Sequence, residues 1–191
     1  MADAGRVIAG PARGIRLEAP GPATRPMGDR VKQTLFAILE PNLPGARFLD
    51  LFAGSGAAGI EALSRGAGHA TFVERDGGAV RIIAANLART NLGGGHVEIV
   101  RAEAVGWLRR SSGLPGDRPF DLVVLDPPYG EPAMLATALE ALAPHLGPGA
   151  RVVAKHFWRD APPGRVGLLA SERVRRFGET ALTFYRRQED R

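Results

Sequence analysis

The run Phe48-Leu49-Asp50-Leu51 leads directly into Phe52-Ala53-Gly54-Ser55-Gly56-Ala57-Ala58-Gly59 and then into an amphipathic stretch. A short apolar strand, a glycine-rich turn and a helix in that order leave few folds open. Glycine lets backbone approach a ligand closely, and the helix N-terminus beyond it offers free N–H groups and positive partial charge. A nucleotide-like ligand is therefore expected at Gly54 and Gly56. The competing reading is a tight turn with close helix packing, in a chain that holds 25 glycines.

Short apolar runs alternate with amphipathic stretches from Phe48 to Ala154, which is β-α-β-α order. Strands such as Leu122-Val123-Val124-Leu125 are continuously apolar rather than alternating, so they require cover on both faces and a parallel sheet. After Ala154 the runs Val166–Ala170, Val174–Phe177 and Ala181–Tyr185 follow one another too closely for crossover helices and predict an antiparallel edge. Before the core, Val7–Gly10 and Gly14–Glu18 predict a hairpin, and Asp29 is a plausible N-cap for a helix bearing Val31, Leu35, Ile38 and Leu39. The expected fold is α/β and Rossmann-like, with a mostly parallel seven-stranded sheet, an antiparallel C-terminal edge and an N-terminal β-hairpin. One domain spans 1–191, divided into an extension (1–26) and a core (27–191).

Three acids fall at predicted strand ends. Glu74 lies 20 residues after Gly54, the spacing at which a carboxylate accepts the ribose hydroxyls of an adenosine ligand. That spacing serves NAD and S-adenosylmethionine alike. Asp50 favours the second, because a carboxylate there attracts a cationic amino group and repels a pyrophosphate. Glu103 is placed to accept an adenine amino group, although a solvated acid is the commoner outcome. The adjoining residues Phe52, Ser55, Arg75 and Ala104 complete the predicted cofactor set.

Asp126-Pro127-Pro128-Tyr129 follows the fourth core strand. Prolines donate no N–H, so the Asp126 carboxylate and the Pro127 carbonyl are left to accept hydrogen bonds from one planar NH2 group. Such acceptors favour a pyramidal amine whose lone pair points at an electrophile, and Tyr129 offers a face for stacking a flipped base. A plain strand-terminating turn is the alternative. This loop suits guanine N2, adenine N6 and other planar amines equally well.

Composition narrows the chemistry further. With no Cys, thiolate metal sites, disulfides and cysteine nucleophiles are excluded, and His69, His96, His145 and His156 lack ligand spacing, so no metal is expected. No apolar run reaches membrane-span length and no secretion signal opens the chain, which makes cytoplasm the expected compartment. The net charge of +5 sits at the two ends, as suits flanks that touch a polyanion; Arg13, Arg16, Arg25 and Arg30 are the candidate phosphate contacts. Each alone is more often a solvated charge.

These residues resemble class I S-adenosylmethionine-dependent methyltransferases, and among them the RsmD family. The resemblance covers nearly the whole chain. It rests on Asp50 to Gly56, Asp126 to Tyr129, the opening Arg6-Val7-Ile8-Ala9-Gly10, Thr24-Arg25-Pro26, Asp29-Arg30-Val31-Lys32 and Leu35-Phe36. Met27-Gly28 departs from the usual Thr with Ser or Thr, and Glu103 stands where Asp is common. The resemblance implies methyl transfer from S-adenosylmethionine to the exocyclic N2 of a guanine in 16S ribosomal RNA, within the small subunit or its precursor. It places Asp50, Gly54, Gly56 and Glu74 on the cofactor and Asp126, Pro127 and Tyr129 on the base. A monomer is expected, since no exposed apolar stripe is evident. The alternatives are an adenine-N6 enzyme on DNA or RNA, a protein-glutamine methyltransferase, a nicotinamide oxidoreductase and a non-catalytic RNA-binding factor.

Overall fold

In the computed structural model, which describes residues 2–21, 27–111, 118–128 and 130–189, two antiparallel strands precede the central sheet. These are β1 (Ala2–Arg6) and β2 (Arg16–Ala19). The sheet strands are β3 (Arg47–Leu51), β4 (His69–Glu74), β5 (Val97–Arg101), β6 (Phe120–Leu125), β7 (Leu146–Phe157), β8 (Arg165–Val166), β9 (Leu169–Phe177) and β10 (Thr180–Arg187). The helices are α1 (Asp29–Leu39), α2 (Ala57–Ser64), α3 (Gly77–Thr90), α4 (Ala104–Ser111) and α5 (Pro132–Leu142). The sheet order is β5-β4-β3-β6-β7-β10-β9-β8. Pairings from β5 to β7 are parallel and those from β7 to β8 antiparallel, as expected from the continuous and then crowded apolar runs. The eighth strand is the two-residue β8, which the sequence reading had merged with the start of β9.

Helices cover both faces. Leu35, Phe36 and Leu39 of α1, with Ala58 and Ala62 of α2, pack on Phe48, Leu122, Val124, Val153 and Leu182. On the other face Leu108 of α4 and Leu135, Leu139 and Leu142 of α5 pack on Leu49, Leu51, Val123, Leu125 and Val152. Each such aliphatic side chain taken out of water contributes about 1.5–3 kcal/mol, which is what holds the two helical layers to the strands.

The hairpin belongs to the same body. Ala4, Val7, Ala12, Leu17 and Ala19 share a core with Ile60 and Leu63 of α2 and Ile83 and Leu87 of α3. Its strands do not occupy 7–10 and 14–18 as the sequence suggested. The N–H groups of Ile8 and Ala9 instead donate to the Glu61 carboxylate of α2, at 2.8 and 3.1 Å, so they cannot join a ladder and pairing moves outward to 2–6 and 16–19. Nor is Asp29 an N-cap: it is the first residue of α1, after Gly28, and faces the Arg6 guanidinium at 3.3 Å.

Glu61 is the hub of this attachment. It is fully buried, accepts from Arg65 Nε at 2.8 Å and lies 3.8 Å from the ammonium of Lys32, itself fully buried in α1. Lys32 donates to the Arg6 carbonyl at 2.5 Å, and burial lowers its pKa against the opposing pull of Glu61. Ser64 extends the contact by donating to the Ala9 carbonyl at 2.6 Å.

Candidate functional site

Chain order reverses between β3 and β6. After β3 the chain builds outward through β4 and β5, then returns to lay β6 along the other side of β3. Leu51 is in register with Leu125, so the glycine loop that follows β3 and Asp126 that follows β6 leave the sheet side by side. Open α/β sheets hold ligands in the crevice at such a switch point. Here the crevice is a cavity of about 970 Å3.

Backbone conformation shapes the loop. Phe52 has φ of 66°, a left-handed conformation that costs a non-glycine residue energy and is concentrated at functional sites. Gly54 and Gly56 follow at φ of 55° and 76°, where glycine carries no such penalty. Gly59 has a different reason to be glycine: a Cβ there would lie 2.3 Å from the Phe72 ring, so α2 sits directly on β4.

Asp50, Phe52, Gly54, Ser55, Glu74, Arg75, Glu103, Ala104, Asp126, Pro127 and Pro128 all line the cavity, bringing together nearly every residue singled out from the sequence. Gly56 stands behind the wall as the left-handed N-cap of α2. Tyr129 and Arg25 lie outside the described residues. Of the remaining arginines, Arg13 and Arg30 are exposed, whereas Arg16 is held 2.5 Å from Asp3. None of these three lines the cavity.

The acids at the strand ends first organise backbone. Asp50 Oδ2 accepts the Gly59 N–H at 2.8 Å, and Glu74 accepts from Gly54 and Asp76 at 2.8 and 2.9 Å. Glu103 accepts from Val105 and Gly106 at 3.0 and 2.6 Å, capping α4. A carboxylate has about four acceptor positions, so each keeps capacity for a ligand. Among the described residues, seven acids line the cavity against two bases, Arg75 and Lys155, an excess suited to a cation.

Asp50 is 2% exposed, and burial pushes its carboxyl up to about 8, opposed by the Gly59 N–H and reinforced by Asp126 and Glu74. Below that value the empty site holds a proton that a cationic ligand expels. Affinity for a cationic ligand facing Asp50 is therefore expected to rise about tenfold per pH unit from pH 6 to 7, then level off near 8. Titration calorimetry in buffers of different ionisation enthalpy checks this; binding without proton release at pH 6.5 excludes Asp50 as the facing group. Because the folded-state value lies above the ordinary 3.8, the empty protein loses stability as pH rises from about 4 to 8. Asp50→Asn is accordingly expected to stabilise the empty protein at pH 8 by about 1–2 kcal/mol while weakening the ligand.

One functional residue was missed. Lys155 of β7 places Nζ 2.6 Å from Asp126 Oδ1, with its side chain only 6% exposed. Burial raises the pKa of Asp126, and Lys155 is the group that pulls it back. No hydrogen bond among the described residues engages Oδ2 of Asp126. The available signal was positional: Lys155 is one of only two lysines and closes the apolar run Val152-Val153-Ala154.

No histidine among the described residues lines the cavity. His145 Nε2 contacts the Leu108 carbonyl and its ring stacks on Trp107, while His156 contacts Thr183 Oγ1 and the Phe157 carbonyl. No group of three or more potential ligands is placed to hold a metal among the described residues. No helix among them is long and apolar enough to cross a membrane.

Comparison with known proteins gives the family. The chain is 37% identical over 190 residues to YlbH of Bacillus subtilis strain 168, covering 96% of this chain and 99% of the relative. It is 41% identical over 125 residues to Ribosomal RNA small subunit methyltransferase D of Escherichia coli strain K12, an alignment covering 65% of this chain and 60% of that protein. The solved structure of Escherichia coli yhhF superposes with a TM-score of 0.82 at 32% identity, over 96% of this chain and 97% of that one. S-adenosylmethionine is the expected cofactor of a chain with these relatives, and the acid-lined cavity fits its cationic end. Residues 5–186 match the family model described as Conserved hypothetical protein 95, and with these relatives the chain belongs to that family, the RsmD-type methyltransferases.

Proposed function

We propose that the protein transfers the methyl group of S-adenosylmethionine to the exocyclic N2 amine of a guanine in 16S ribosomal RNA, acting as a monomer in the cytoplasm on the small subunit or its precursor. The observation that carries this reading is the convergence of the glycine loop, Glu74 and Asp126-Pro127-Pro128 on one cavity. The cofactor supplies an electrophilic methyl on a sulfonium. Asp50 would face its cationic amino acid end and Glu74 would accept from its ribose, while the glycines let the loop backbone come close.

The amine of a flipped-out guanine donates one hydrogen to Asp126 and the other to the Pro127 carbonyl, with Tyr129 as the stacking face. Held this way, its lone pair is directed at the methyl carbon. The N–C bond forms as the S–C bond breaks, the sulfur leaves as a neutral thioether, and the amine proton passes to Asp126 or water. Lys155 donates to Asp126 Oδ1 at 2.6 Å, which orients the carboxyl and opposes the upward pull of burial on it. The chain's contribution is placement and electrostatics. RNA specificity falls to the hairpin, with Arg13, Arg16, Arg25 and Arg30 against phosphates, and to the basic C-terminal strands.

The test is methyl transfer from labelled cofactor to small subunits, free 16S RNA and DNA in parallel, followed by mass spectrometry of the product nucleoside. N2-methylguanosine is the expected product. N6-methyladenosine, or incorporation into DNA alone, overturns the assignment.

A further inference from the structure

Next to the cavity mouth, Trp158 is held between two cations. The guanidinium carbon of Arg176 lies 3.7 Å from its ring centroid and that of Arg159 lies 4.9 Å away. Trp158 follows Phe157, which lines the cavity, and its backbone N–H donates to the carbonyl of Glu179, another lining residue, at 2.9 Å. Arg176 is further fixed by donating Nε to the Gly178 carbonyl at 2.8 Å. No acidic side chain forms an ion pair with Arg159 or Arg176 among the described residues, although Asp160 adjoins them in sequence.

Both guanidinium groups are exposed while held at the ring, so N–H donors of each stay open to an arriving anion at a fixed place. Val174, two residues before Arg176 and on the same face of β9, is 54% exposed, whereas Arg173 and Arg175 are exposed on the opposite face. From Glu172 to Phe177 the outer side of β9 has no strand partner, since β8 pairs only with Leu169 and Ala170. Charge on such an edge also guards against stray strand pairing. That purpose does not call for Arg159, which lies outside β9, to share an indole with Arg176 beside the cavity mouth.

We infer that Trp158, Arg159 and Arg176 form a docking platform for the ribosomal RNA backbone flanking the methylated base. This rests on the reading above of the cavity as an RNA methylation site. The guanidinium groups take phosphate oxygens, and their planes offer a stacking surface to an unpaired neighbouring base.

The test uses the whole protein with Arg159→Gln, Arg176→Gln, Trp158→Phe and Trp158→Ala, and Arg109→Gln on α4 as an exposed control. Binding to protein-free 16S RNA and to small subunits is measured across a salt series, with cofactor binding and methyl-transfer kinetics alongside. Each platform arginine variant is expected to weaken RNA binding about 3- to 10-fold and to flatten the log–log salt slope by about one. KM for RNA rises, while cofactor affinity and kcat at saturating RNA hold. Trp158→Phe falls between the native protein and Trp158→Ala; should the alanine variant fail to fold, the arginine pair decides. Arginine variants that match Arg109→Gln overturn the proposal, as does weakening on assembled subunits alone, which points to a ribosomal protein as the partner. The binding arm needs no turnover, so absence of methyl transfer by the native protein counts against the enzymatic reading and not against the platform.

Discussion

Asp126→Asn is expected to lower methyl transfer about 100- to 1,000-fold while cofactor binding persists, the scale seen when one preorganised polar group is removed from a transition state. Asparagine keeps the shape of the side chain and one acceptor oxygen. What it loses is the charge and the second acceptor, and its own NH2 then faces either the Lys155 ammonium or the substrate amine, donor against donor. The backbone is unaffected, because the Asp126 N–H bonds to the Leu51 carbonyl and not through the side chain. Single-turnover transfer of a labelled methyl, with calorimetry of cofactor binding on the same preparation, gives the answer. An asparagine variant that turns over at the native rate removes Asp126 from the chemistry.

Glu61→Gln is expected to cost about 3–5 kcal/mol of folding stability, the range for removing one partner from a buried ion pair. The fully buried carboxylate meets Lys32, Arg65 and the amides of Ile8 and Ala9 at once. Glutamine serves only part of this set and removes the stronger of the two negative charges, those of Glu61 and Asp29, that favour the buried Lys32 ammonium. The loss should appear in urea unfolding and, more locally, as faster hydrogen exchange at Ile8 and Ala9. A change below about 1 kcal/mol means that the hairpin is held by its apolar contacts alone.

The catalytic crevice was readable because its signals are local. A strand, Gly54-x-Gly56-x-x-Gly59 and a helix occupy consecutive residues, and Asp126-Pro127-Pro128 closes a strand whose uninterrupted apolar run announces burial on both faces. Parallel register then sets the two loops side by side with no further information needed. What escaped was every pairing between distant residues. Lys155 reaches Asp126 across 29 positions and Glu61 meets Ile8 across 53, and no periodicity records either contact. The hairpin register was misplaced for the same reason, since a side chain from α2 replaced the expected strand partner. Glu103 shows the converse: its placement beside the cavity was legible, but its first occupation, capping α4, depends on helix geometry.

The sheet order has a consequence for biosynthesis. β10 lies between β7 and β9, pairing with β7 from Thr180 opposite Phe157 to Arg186 opposite Arg151. Until residues 180–187 emerge from the ribosome, β7 has a bare edge and Lys155 rests on an unfinished scaffold. A nascent chain that already displays the glycine loop and Asp126 therefore still lacks the strand that flanks Lys155. Competence arrives in a single late step, when one strand is inserted between two others.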